Sequence, residues 1–164
     1  QWAKDKNLAI IGNSDVHDVY NRKYDRNRFP IRPVTLVFAK ERTEASLKEA
    51  MFARRTATLF FNKLVGPKEL VEPLVRQSIS VSDPFLYDGG FIYFEVKNSS
   101  DIEFTLLKIG KDDSGLPEKT ILPRQSTVVA RVKQEKGQAR AYSFQLENVL
   151  TGVEQYEQLS FTVK

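Results

Sequence analysis

Apolar residues change their spacing along this chain, and the change divides it. Leu8-Ala9-Ile10-Ile11 is a continuous apolar run ended by Gly12-Asn13-Ser14, and Pro33 to Ala39 is a second, rich in Val, Leu and Phe. Short runs of this kind predict buried strands. Between Thr43 and Thr56, Ala45, Leu47, Ala50 and Met51 recur at near-helical spacing, leaving Lys48, Glu49 and Arg55 for solvent. That predicts an amphipathic helix capped by Thr43, with Glu44 and Lys48 paired one turn apart. Thr56 to Phe61 reads as an added strand or an apolar plug. Gly66-Pro67 opens a short helix that Pro73 is expected to kink or stop.

From Ser78 the period becomes two. Ile92, Phe94 and Val96 alternate with polar or aromatic neighbours, as do Tyr142, Phe144 and Leu146 and finally Leu159, Phe161 and Val163, while Val128, Ala130 and Val132 alternate with Thr127, Val129, Arg131 and Lys133. Turn clusters separate the runs, among them Asp88-Gly89-Gly90, Asn98 to Asp101 and Lys136-Gly137. About seven short strands at this spacing predict an antiparallel sandwich of immunoglobulin-like type. Leu106-Leu107 interrupts the alternation and predicts a bulge or strand end there.

Composition narrows the chemistry. The chain has 164 residues, 41% of them hydrophobic, enough to bury a core. It has no Cys and one His, which excludes disulfides, thiolate metal sites and His-rich sites within it. No apolar run approaches the roughly 18 residues of a membrane span; the bacterial periplasm and the cytoplasm both stay open. A start at Gln1 so close to the first strand suggests a piece of something longer. Lys and Arg outnumber Asp and Glu by 15 to 9 in residues 1–77 and are outnumbered 10 to 12 in residues 78–164. The basic first part favours anionic ligands there over a general polyanion-binding surface. Nucleic acid is not an expected partner.

Candidate chemistry gathers after the first apolar run. Asp15 and His17 stand two apart, and in extended backbone such positions share one face. A carboxylate and an imidazole so placed suit zinc or manganese. Equally, Asp15 can begin a loop through backbone hydrogen bonds, with His17 solvated. The 15 residues from Asp18 to Arg32 form a loop with five basic residues, including Arg22 and Arg26. Arginine forks there suit phosphate oxygens, although a solvated loop without ligand has the same composition. Asp112-Asp113 lacks the spaced oxygen ligands of a calcium loop and reads as a turn.

The run Gly12-Asn13-Ser14-Asp15-Val16-His17 resembles the last motif, G-[NS]-S-D-x-H, of the PHP (polymerase and histidinol phosphatase) family. The resemblance continues through Thr35-Leu36-Val37-Phe38-Ala39 and through Thr43-Glu44-Ala45-Ser46 to Arg54-Arg55-Thr56. It implies an α+β chain of two units. Residues 1–61 would be the carboxyl-terminal portion of a PHP-type β/α barrel, residues 62–76 a connector with a short helix, and residues 77–164 the immunoglobulin-like β-sandwich.

The same resemblance implies a metal-dependent phosphoesterase that hydrolyses phosphate mono- or diesters with Zn, Mn or Fe. Asp15 and His17 would be metal ligands, and Arg22 and Arg26 would hold substrate phosphate. The family's amino-terminal H-x-H and its middle His and Glu ligands are absent here, so the 164 residues alone are expected to hold no metal and to be inactive. A homodimer through the truncated barrel surface is the expected assembly. The alternative is a non-catalytic β-sandwich binding or structural module in which the Asp-x-His is incidental.

Overall fold

The computed structural model describes residues 2–15, 32–111 and 113–164. They divide into two compact units, Gln1–Val71 with Val149–Gln155, and Glu72–Asn148 with Tyr156–Lys164.

In the first unit, a short helix α1 (Trp2–Asp5) is followed by β1 (Val34–Val37), α2 (Glu44–Phe52), β2 (Thr56–Phe60) and β3 (Lys63–Val65). Thr43 caps α2 as expected, its Oγ1 accepting from the Ser46 amide at 3.2 Å, and Lys48 pairs with Glu44 at 2.6 Å. The helix ends with Arg54 at φ 61°. There the Arg54 amide donates to Met51 and the Arg55 amide to Ala50, a Schellman arrangement in which Arg54 takes the place usually given to glycine. The chain then reverses. The Phe38 amide donates to the Arg55 carbonyl at 2.9 Å, and Arg55 Nε donates back to the Phe38 carbonyl at 3.1 Å. Consequently β2 runs antiparallel to β1, Val34 opposite Leu59 and Val37 opposite Thr56.

Phe61 and Asn62, both at positive φ, form a two-residue turn that returns β2 into β3. Leu64 and Val65 then pair in parallel with Val149 and Leu150. Ala57, Leu59, Leu64, Val71 and Val149 are buried in this unit.

Helix α3 (Lys68–Ser78) runs through Pro73 without stopping. Proline cannot donate to the carbonyl one turn back, so a single rung is lost. After it come β4 (Ile79–Val81), β5 (Leu86–Asp88), β6 (Phe91–Asn98), β7 (Phe104–Lys108), β8 (Lys119–Leu122), β9 (Ser126–Lys133), β10 (Arg140–Gly152) and β11 (Gln155–Val163). All of β6 pairs with β9 on one edge, so β4 and β5 share the other edge, at opposite ends of the strand. Strand β7 pairs antiparallel with β8 and with β10, and β11 pairs with β10. The core holds Ile92, Phe94, Phe104, Leu122, Val132 and Leu146. Phe161 stacks on Phe144 with ring centroids 5.4 Å apart. Asn98, fully buried, is satisfied by the carbonyls of Ile102 and Pro123 and by Ser100.

This architecture corrects the expected fold class. The first unit is not the end of a PHP-type β/α barrel, because a barrel needs successive parallel strands and β1, β2 and β3 form an antiparallel meander. Leu8–Ile11 is not a strand, and Leu8 and Ile11 are exposed. Nor is the second unit an immunoglobulin-like sandwich. The described residues are mostly β with curled sheets, and the longest strand among them, β10, leaves the second unit to end against β3. Of the bulge or strand end expected at Leu106-Leu107, there is no bulge, since β7 keeps an unbroken register with β8, and the strand ends one residue on, at Lys108.

Candidate functional site

The segment bearing Asp15 is held by its glycine. Register places Thr35 of β1 directly opposite Thr58 of β2. Gly12 lies against this threonine pair: its amide donates to Thr35 Oγ1 at 3.0 Å, and the same hydroxyl donates to the Gly12 carbonyl at 3.0 Å. A Cβ on Gly12 would run into the Thr58 side chain. The seat is built from side chains 23 residues away in sequence for Thr35 and farther for Thr58. Beyond it Asn13, Ser14 and Asp15 are exposed.

Asp15 has φ 47°, in the left-handed region that Asp tolerates better than most residues. The alternation of extended backbone therefore does not operate at this residue. His17, Arg22 and Arg26 lie outside the described residues, so of the four residues singled out by sequence the structure places only Asp15. Among the described residues no three His, Cys, Asp or Glu side chains gather as a metal site. No helix among them is long and apolar enough to cross a membrane.

A cleft of about 690 Å³ in the same unit was not legible in the sequence. Leu8, Ile10, Arg54, Arg55 and the first turn of α3, Lys68 included, are among the residues that line it. Asp15 is not among the lining residues. Arg55 is committed elsewhere, its guanidinium gripping both oxygens of Glu49. That hydrogen-bonded pairing holds the Glu49 carboxyl below its ordinary pKa and raises that of Arg55. In the second unit the Arg140 guanidinium, 3.1 Å from Asp113, likewise lowers the Asp113 carboxyl. Both are exposed structural pairs. The Arg-Arg pair at the end of α2 was the available signal for the cleft, but nothing local shows that the start of α3 lines the same cleft.

No family model and no curated protein matches the chain. Among solved structures, it is similar to a two-domain protein from Bacteroides vulgatus ATCC 8482, described as containing a predicted PHP-like metal-dependent phosphoesterase. The two share 25% identity with a TM-score of 0.85 over 98% of this chain. The chain spans 47% of that protein, about half its length.

Proposed function

We propose that this chain is part of a metal-dependent phosphoesterase of PHP-like type, to which it contributes Asp15 and His17 as metal ligands. The observation that carries the reading is the likeness over 98% of the chain to the two-domain phosphoesterase-containing protein, together with the Gly12–His17 motif. Carboxylate and imidazole are donor types that Zn, Mn and Fe accept. The set is incomplete within these 164 residues, which hold one His and no Cys, so the remaining ligands belong to the rest of the longer polypeptide. A bound divalent ion there would acidify water and neutralise charge on the phosphate oxygens. Gly12, seated on Thr35 and Thr58, positions the chain that carries Asp15. Arg22 and Arg26 bind the ester's phosphate through their forked donors.

On this reading the 164 residues alone do not hydrolyse phosphate esters. The β-rich second unit has an accessory role. Leu47, Met51 and Phe52 of α2, all exposed, are covered by the remainder of the enzyme; a homodimer through the same surface is the other way to bury them.

Asp15→Ala or His17→Ala in the full-length protein is expected to lower manganese-dependent hydrolysis of p-nitrophenyl phosphate by at least about 100-fold, an effect of a few kcal/mol on the barrier. Bound metal should fall as well. Asp15→Ala should cost no more than about 1–2 kcal/mol of stability, the usual penalty for an ordinary residue at left-handed φ. Wild-type turnover and metal content in either variant would remove the ligand assignment.

A further inference from the structure

We infer that a cavity inside the second unit is a binding site for a small amphipathic anion, with an apolar body held between the strands and a single negative end group on Arg131. The cavity measures about 310 Å³, at the lower end of the roughly 300–1,000 Å³ typical of ligand sites. Leu106, Leu122, Phe144 and Phe161 line it. Thr120 is its one hydroxyl side chain. So few polar groups give water little to bond to, and an apolar occupant is favoured.

The opening follows from strand pairing. Strand β9 pairs along its length with β6, and β8 with β7; among the described residues no strand pairs with the remaining edge of either. Along β9 the inward positions are Val128, Ala130 and Val132. Val132 is fully buried, whereas Val128 and Ala130, which line the cavity, are only half-buried. The core is closed at one end of β9 and open at the other.

The rim is fixed. Leu116 and Pro117 line the cavity from the loop before β8. That loop is pinned by the Lys133 amide, which donates to the Ser114 carbonyl at 2.7 Å, and by Lys108 Nζ, which donates to the Leu116 carbonyl at 3.3 Å.

Charge selects the end group. Arg131, exposed on the outward-facing side of β9, lines the cavity together with Phe91, its guanidinium carbon 3.9 Å from the Phe91 ring centroid. Elsewhere in the unit Lys119 is bound to Glu147 and Arg140 to Asp113. Arg131 has no carboxylate partner among the described residues. Stacking on an aromatic face leaves the edge donors of a guanidinium available for an oxyanion. One cation beside an apolar cavity specifies one anionic group on an apolar body, as in a medium-chain or aryl carboxylate. The inference is independent of the phosphoesterase reading.

Calorimetric titration of the 164-residue chain with octanoate and with octanol tests it. Wild type is expected to bind both at about 1 mM or below, octanoate more tightly. Arg131→Gln should weaken octanoate about tenfold or more, the loss of a charge-assisted hydrogen bond, and leave octanol within about twofold. Ala130→Trp should abolish both while far-UV circular dichroism and the melting temperature stay near wild type. If that variant does not fold, Val128→Phe obstructs the cavity from the next inward position. The inference is overturned if wild type binds neither ligand, if Arg131→Gln weakens octanol as much as octanoate, or if a folded cavity-filling variant binds like wild type.

Discussion

A side chain at residue 12 would occupy space already taken by Thr58, and the backbone there is further tied to the Thr35 hydroxyl on both its amide and its carbonyl. Gly12→Ala should therefore destabilise the protein by about 1–3 kcal/mol, the usual cost of forcing a group into a packed contact. Urea unfolding reads this directly, and a midpoint equal to wild type would mean the segment does not sit on Thr58. The glycine was legible as part of a turn and of a motif, but its partners were not. Thr35 and Thr58 belong to separate strands and meet Gly12 only because the register of β1 with β2 sets them side by side. Asp15 was found from its motif, while its left-handed backbone, which no spacing argument anticipates, decides how its carboxylate is presented.

At the scale of elements, the reversal after α2 has a salt bridge built into it. Arg55 holds the Phe38 carbonyl and both carboxylate oxygens of Glu49, so one side chain ties the end of the helix to the segment after β1. Glu49 has a lowered pKa in the fold. Its contribution is therefore present above the pKa of the unfolded chain and is lost as pH falls through the folded value. Glu49→Gln should melt earlier than wild type at neutral pH, and the gap should close as pH drops below the ordinary carboxylate range. A gap that persists in acid would assign the effect to packing. Helix α2 itself was legible from its cap and spacing, yet only Ala50 is buried while Leu47, Met51 and Phe52 are exposed. The Phe61-Asn62 turn escaped notice because its positive φ angles fall on residues other than the usual Asn-Gly. Strands β5 and β8 escaped because neither carries a clear alternation, and Leu86, Tyr87 and Asp88 are all exposed.

For the whole molecule, the hairpin of β10 and β11 is the element that local pattern could least anticipate. Residues Val149–Gln155 belong to the first unit, where Val149 and Leu150 complete the pairing of β3. Replacing 149–155 by a short Asn-Gly turn should expose β3 and speed amide exchange in β2 and β3, while β6, β7 and β9 keep their protection. Uniform acceleration across both groups would show that the units do not unfold separately. Unchanged exchange in β2 and β3 would show that the parallel pairing contributes nothing.

Several features were determined by sequence alone: the cap and start of α2, most of the alternating strands after Ser78, the Asp88-Gly89-Gly90 turn, the absence of thiol chemistry and the motif around Asp15. Each depends on side chains within a few residues of one another, whose spacing, rotamer preferences and hydrogen-bonding groups act before any distant contact forms. Only the tertiary structure decided that β1 and β2 run antiparallel, that Leu8–Ile11 is no strand, that β10 reaches β3 and that a cavity opens beside Arg131. The physical reason is that an apolar run gains the same burial from many partners. Which partner it takes, and in which direction, depends on hydrogen bonds such as Phe38 with Arg55 and Gly66 with Leu150 that join residues far apart in the chain.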